Sequence, residues 1–358
     1  VEPVIQRDWD IDYLAVAAGG ESLAYTINAG GRSELFVRTT DGERKLEGLP
    51  LGVVTGPTFS RDGSTLAFGL DGPCHNSNIW TWRLAEGVLR QATFSDRAGL
   101  PAAAFREPDL VAYPTFDGRE IAGWWYRPDG SGAWPTIIFL HGGPESQTRA
   151  SFNPIISYLV DRGYAVLAPN VRGSTGYGKA FHHLDDIRNR MNSVADAAAA
   201  VDWLVAHGAD RERMACFGGS YGGFMVLSLV TTYPDLWAAG VDIVGIANFV
   251  TFLEQTGPYR RKQREAEYGS LENDGDFLRD ISPINHVDRV KAPLFVLQGA
   301  TDPRVPQNES DQMVEHLRRR GIPVEYMVFA DEGHGLVKLP NRIKAYGAIA
   351  EFLDRYMR

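Results

Sequence analysis

From Pro135 onward, short apolar runs alternate with amphipathic stretches, and one junction between them reads Gly218-Gly219-Ser220-Tyr221-Gly222. The apolar run Arg213-Met-Ala-Cys-Phe217 precedes this pentapeptide and a helix-forming stretch, residues 221–233, follows it. A G-x-S-x-G placed between a strand and a helix is a tight turn that lifts a serine out of the sheet. Its neighbours must lack bulky side chains for the turn to close. Strand–helix alternation itself means a largely parallel sheet covered on both faces. The runs are 135–140, 165–169, 213–217, 238–244, 293–298 and 324–330, with helices near 194–205, 220–233, 307–320 and from 341 onward.

A serine hydroxyl needs a base to take its proton, and the base needs an acid to hold its tautomer. In such a sheet the partners follow the serine in the order acid, then histidine, each just past a strand. Pro293-Leu-Phe-Val-Leu-Gln-Gly299 runs into Asp302, and Val324–Ala330 runs into Asp331-Glu-Gly-His334. The expected nucleophile, acid and base are therefore Ser220, Asp302 and His334, with Asp331 the rival acid. For the developing oxyanion, the backbone N–H of Tyr221 and that of Gly143, in the loop His141-Gly-Gly-Pro144, are the expected donors. His141 acting itself as a catalytic or metal-binding group is the competing reading of that loop.

Two other patterns are decoys. Gly173, then Gly178-Lys179, approaches a phosphate-binding loop, but Ala180 stands where a Mg²⁺-holding hydroxyl is needed. His182-His183 and Asp185-Asp186 suggest a metal site, yet neighbouring helical residues face different ways, and the expectation is a solvated patch.

The first hundred residues read differently. Leu23–Ile27 and Glu34–Arg38 are repeated, about 43 residues on, as Thr65–Gly69 and Asn78–Arg83. A period in the low forties with several strands per unit is the signature of a propeller blade. Two blades cannot close a ring. The expectation is a fragment, residues 1–105, whose other blades lie on an upstream segment or a separate chain, followed by an α/β-hydrolase domain, residues 106–358. A small self-contained sandwich is the alternative.

The chain has 358 residues, 44% apolar and 23% charged, with a formal charge of −9. That balance suits two soluble domains and disfavours nucleic acid, whose phosphates need a basic surface. The absence of an 18-residue apolar run argues against a membrane-spanning helix. Cys74 and Cys216 cannot make a disulfide framework, so a cytoplasmic setting is expected, with Cys216 a core residue. The chain begins at Val1 without Met, consistent with a lost leader or upstream region.

Together, HGGP (141–144), NVRGSTGYG (170–178), GGSYGG (218–223), the segment from Ile281 to Pro306 and DEGHG (331–335) resemble the prolyl oligopeptidase family of serine peptidases. The acylaminoacyl-peptidase and dipeptidyl-aminopeptidase-like branch is the nearest in pattern. The resemblance implies a size-screening propeller stacked on a catalytic domain, a short peptide substrate and no metal or organic cofactor. It also implies an S1 pocket walled by Phe249, Phe252 and Val305. The basic stretch after that wall carries Arg260 and Arg261, which could grip a carboxylate and make the enzyme a carboxypeptidase. A carboxylesterase with the same triad and a catalytically silent binding module are the remaining readings. Whether the chain forms a homo-oligomer is left open.

Overall fold

The computed structural model describes residues 3–358. Its N-terminal part is two four-stranded antiparallel sheets. The first comprises β1 (Ile11–Val16), β2 (Leu23–Ala29), β3 (Arg32–Thr39) and β4 (Gly42–Lys45); the second comprises β5 (Val53–Phe59), β6 (Thr65–Gly72), β7 (His75–Arg83) and β8 (Val88–Gln91). β2 and β6 begin at Leu23 and Thr65, and β3 and β7 at Arg32 and His75, so the sequence repeat is a repeat of whole sheets. β5 lies across β1, β2 and β3. Between the two sheets Leu35, Val37, Val54, Leu66, Phe68 and Trp82 form one buried cluster.

The rest is an eight-stranded sheet: β9 (Asp109–Pro114), β10 (Glu120–Tyr126), β11 (Trp134–Leu140), β12 (Ala165–Pro169), β13 (Ala209–Gly219), β14 (Ala239–Ile243), β15 (Leu294–Gly299) and β16 (Val324–Phe329). The spatial order is β16-β15-β14-β13-β11-β12-β10-β9. β9 and β10 run antiparallel to their neighbours and the other strands are parallel. β12 and β15 are buried at every position, which is why they read as unbroken apolar runs. β9 escaped the sequence reading because Asp109-Leu-Val-Ala-Tyr-Pro114 is an edge strand, mostly exposed and ending in proline.

The helices are α1 (Pro154–Asp161), α2 (Lys179–His182), α3 (Arg190–Ala206), α4 (Tyr221–Thr232), α5 (Phe249–Gln255), α6 (Pro258–Tyr268), α7 (Leu271–Asp280), α8 (Gln307–Arg319) and α9 (Leu339–Met357). Apolar residues of α1 and α9 pack on one face of the sheet, and those of α3, α4 and α8 on the other. Among the described residues, no helix is long and apolar enough to cross a membrane.

The first small sheet sits on the loop after β11. The Ala150 amide donates to Gly31 O at 2.9 Å, Asn28 Nδ2 donates to Gln147 Oε1 at 2.7 Å, and Arg149 pairs with Asp12 at 2.7 Å. Trp9 meets Tyr177 edge-on, with ring centroids 5.9 Å apart. These contacts place the small sheets beside the loops that carry HGGP and NVRGSTGYG.

Candidate active site

β13 ends at Gly219 and α4 begins at Tyr221, leaving Ser220 alone at the turn with φ 58° and ψ −118°. A positive φ on a non-glycine residue costs about 1–3 kcal/mol and persists only where its surroundings over-determine it. Here the Ser220 amide donates to Ile243 O at 2.8 Å. The flanking glycines are steric necessities: a side-chain carbon on Gly218 would lie 2.3 Å from Gly222 O, and one on Gly222 would lie 2.3 Å from Leu140 O.

His334 stands between Ser220 and Asp302. Its Nε2 is 2.9 Å from Ser220 Oγ and its Nδ1 is 2.7 Å from Asp302 Oδ2. The Asp302 side chain is shut off from solvent, and its other oxygen accepts from the amides of Arg304 at 2.7 Å and Val305 at 3.0 Å. Asp331 points elsewhere, bonding Lys338 Nζ at 2.6 Å and Asn341 Nδ2 at 3.1 Å. The loop bearing His334 is pinned by Glu332, which accepts from the amides of Val337 and Lys338 and from Asn341 Nδ2. The Asn341 hydrogen bond, chiefly, holds the Glu332 carboxyl below its ordinary range.

The HGGP loop lies against Ser220: a side-chain carbon on Gly142 would be 3.0 Å from Gly219 O and 3.4 Å from Ser220 Cβ. His141 is an anchor for that loop. Its Nδ1 lies 2.8 Å from Gly142 O and its Nε2 lies 2.9 Å from Ser174 Oγ. Burial depresses the His141 pKa, favouring the neutral ring. With Nδ1–H donating to Gly142 O, Nε2 shares the single Ser174 hydroxyl hydrogen with Val171 O, which lies 2.6 Å from Ser174 Oγ. The Gly142 carbonyl and the Gly143 N–H belong to one planar peptide and point opposite ways. Holding the carbonyl therefore aims the N–H.

NVRGSTGYG is a scaffold segment. Arg172 grips Asp196 of α3 with Nε and Nη2, both at 2.8 Å, and reaches Asp117 with two bonds of 3.1 Å. Asn170 and Thr148 exchange hydrogen bonds of 2.7 and 3.0 Å.

Several expectations are corrected. Phe249 and Phe252 are wholly buried and Val305 almost so; they sit in the core with Phe224 and Tyr268, not on an open pocket wall. Asp185 is not part of a solvated patch. It is 1% exposed and pairs with the buried Arg190, while His183 and Asp186 do form a half-exposed pair at 2.8 Å. Burial pushes Asp185 up to about 7 even though Arg190 pulls the other way. Asp185, Asp186 and Glu267 come close enough to share a cation, but Arg190 already pairs with Asp185 and Glu267. In the basic stretch, Arg261 donates to Glu254 O at 3.0 Å, at the end of α5. Burial, and then the nearby cations Arg264 and Arg304, depress the Arg260 pKa. The nearness of Arg304 to Arg260 has no counterpart in the linear pattern.

Under the Ser220 turn lies a charge problem. Asp242 of β14 is fully buried, neither of its oxygens makes a well-formed hydrogen bond among the described residues, and Gly223 and Gly245 close around it. Burial pushes its pKa up to about 7, with the nearby Gly245 amide the one group favouring the charge. A folded pKa above the unfolded one means stability is complete below about pH 4 and is lost as pH rises through 7. Asp242→Asn cannot ionise. Its stability gain over the parent chain should be larger at pH 8 than at pH 4 by about 2–4 kcal/mol. Urea unfolding at both pH values checks this, and equal gains would refute it.

With the geometry in place, comparison with known proteins adds the following. The family profile described as the prolyl oligopeptidase family matches residues 150–358. Dipeptidyl aminopeptidase BIII of Pseudoxanthomonas mexicana is 40% identical over 223 residues, covering 61% of this chain and 32% of that protein. Dipeptidyl peptidase family member 6 of Caenorhabditis elegans is 39% identical over 226 residues, covering 61% of this chain and 30% of that protein. The crystal structure of a puromycin hydrolase superposes with a TM-score of 0.89 at 25% identity, covering 99% of this chain and 56% of that one. The chain thus spans about a third of the length of these curated relatives and little more than half of the solved one.

Proposed function

This chain belongs to the prolyl oligopeptidase family, and from that premise we propose that it is a serine peptidase of short peptides that works through an acyl-enzyme on Ser220. The observation that carries the reading is His334 bridging Ser220 and Asp302 at 2.9 and 2.7 Å. His334 Nε2 takes the Ser220 proton as Oγ attacks the scissile carbonyl, while Asp302 holds Nδ1–H and steadies the imidazolium. The N–H groups of Tyr221 and Gly143 receive the oxyanion. On collapse, His334 hands its proton to the leaving amine, and water then repeats the cycle to free the acid. The experiment is mass spectrometry of products from a mixed library of short peptides with free, acylated and amidated ends, with Ser220→Ala as control. Release of N-terminal dipeptides or acylated residues supports the reading. Hydrolysis of acyl esters with no peptide cleaved overturns it in favour of an esterase.

Residues 1–105 are, in this reading, two blades of a propeller and residues 106–358 the hydrolase domain. Supporting it, Ile11, Leu14 and Val16 of β1 are exposed, and with Val4 and Ile5 they line an apolar groove of about 780 Å³. An apolar surface of this kind calls for cover, here by further blades.

One observation favours a second reading, a carboxypeptidase. Among the described residues, Arg260, Arg264 and Arg304 have no carboxylate partner, and Arg304 lies two residues beyond Asp302. An unpaired arginine group there suits a peptide's terminal carboxylate. Arg260→Ala should then raise KM for free-acid peptides at least tenfold more than for their C-terminal amides, about 1.4 kcal/mol of selective binding. Equal KM changes for acid and amide would remove this reading.

A further inference from the structure

Tyr221 has two ends. Its N–H is the oxyanion donor proposed above, and its phenol is sealed in the core, 1% exposed. The hydroxyl lies 2.7 Å from Ser193 Oγ, 3.1 Å from Arg190 Nη1 and 3.2 Å from Asp185 Oδ2. Arg190 is the centre of this arrangement. Its side chain is fully buried; Nη1 bonds both Asp185 and the Tyr221 hydroxyl, and Nη2 bonds the Glu267 carboxylate and, at 2.9 Å, the Glu267 carbonyl. Its guanidinium carbon sits 5.2 Å from the Tyr221 ring centre and 5.0 Å from that of Tyr268. Ser193 donates to Arg190 O at 2.8 Å, which closes the cluster back onto α3.

The cluster ties four pieces of chain: the start of α3 (Arg190, Ser193), the start of α4 (Tyr221), the end of α6 (Glu267, Tyr268) and the segment before α3 (Asp185). Asp185 in turn is packed so closely on Gly173 that a side-chain carbon there would lie 2.1 Å from its Oδ1. Just before Tyr221 comes Ser220 at φ 58° and ψ −118°, and turning the peptide that joins them would carry ψ toward the left-handed helical region, where a φ of 58° is less strained. That turn would swing the Tyr221 N–H off the oxyanion. Strained backbone at a site survives only when its neighbours leave it no alternative, and an anchored phenol on the next residue is such a constraint.

We propose that Arg190 is a positioning residue for the oxyanion: by clamping the Tyr221 hydroxyl together with Asp185 and Glu267, it holds the strained peptide that presents the Tyr221 N–H. This rests on the serine-peptidase reading above. Arginine is suited to the task because its planar fork serves several acceptors at once, which a lysine ammonium cannot match in geometry.

The test uses Tyr221→Phe, which deletes only the hydroxyl, and Arg190→Lys, which keeps the charge. Each is assayed for kcat, KM and the Ki of a peptide aldehyde that forms a tetrahedral adduct. Tyr221→Phe should lower kcat about tenfold and Arg190→Lys about a hundredfold, the scale of a sub-ångström to 1 Å misplacement. KM should stay within about twofold, and aldehyde binding should weaken by the same factor as kcat, as for a group acting on the transition state. Unchanged kcat and Ki in folded Tyr221→Phe would overturn the proposal, as would a raised KM at unchanged kcat, which would assign the hydroxyl to substrate binding. If Arg190→Lys fails to fold, Tyr221→Phe decides alone. Parent chain that a fluorophosphonate does not label at Ser220 would overturn the serine-peptidase reading itself, and this proposal with it.

Discussion

Ser220→Ala is expected to lower kcat/KM for a cleaved peptide by about 10⁴–10⁶ and to abolish labelling by a fluorophosphonate. The size follows from the triad acting as a unit. Without Oγ, the His334 ring and Asp302 have nothing to activate, and what remains is the oxyanion donors acting on an attacking water. The substitution leaves the fold alone, because alanine meets the same positive φ that serine does. Ser220→Gly separates chemistry from strain. It should be equally inactive but more stable than Ser220→Ala by about 1 kcal/mol, since glycine tolerates φ 58° without the Cβ penalty. Kinetics and urea melts of both variants check this. A folded Ser220→Ala chain with near-parent hydrolysis would end the assignment.

Asp302→Asn is expected to lower kcat by about 10⁴ with little change in KM. The carboxylate accepts from His334 Nδ1 at 2.7 Å, which leaves Nε2 free to accept the Ser220 proton. An asparagine amide in the same place donates to Nδ1 and reverses the tautomer, so Nε2 carries the proton and cannot act as base. The asparagine carbonyl can still accept from the Arg304 and Val305 amides, so the loop keeps its shape. Asp331→Asn is the control: bonded to Lys338 and Asn341, it should change kcat by less than about twofold. A large loss on Asp331→Asn and a small one on Asp302→Asn would exchange their roles.

The positions of Ser220, Asp302 and His334 were legible because each follows an apolar run at a strand's end. β15 and the end of β13 are buried and must be apolar whatever their neighbours are, so their ends can be found without knowing the tertiary structure. β16, before His334, is a half-buried edge strand that showed only because Tyr326-Met-Val-Phe329 is apolar all the same. The two small sheets were legible for a related reason: the second repeats the turns and alternation of the first, and the repeat survives as a spacing in the low forties. β9 lacked that signal, as an exposed edge strand has no apolar run to show.

What lay beyond the sequence was the environment of polar and aromatic side chains. His182-His183 and Asp185-Asp186 read as a solvated patch, yet Asp185 is buried, and so is Arg190, which no motif marks. They can be, because the guanidinium reaches Glu267 and the Tyr221 hydroxyl, partners brought in from α6 and α4. Phe249 and Phe252 could have walled a cavity or filled a core; only the packing of Tyr268 and Phe224 against them closed the space. Arg304 lies near enough to Arg260 to depress its pKa, a nearness that no local pattern records. Burial of an apolar run is a property of the run. Burial of a charge is a property of its partners, and the partners are chosen by the fold.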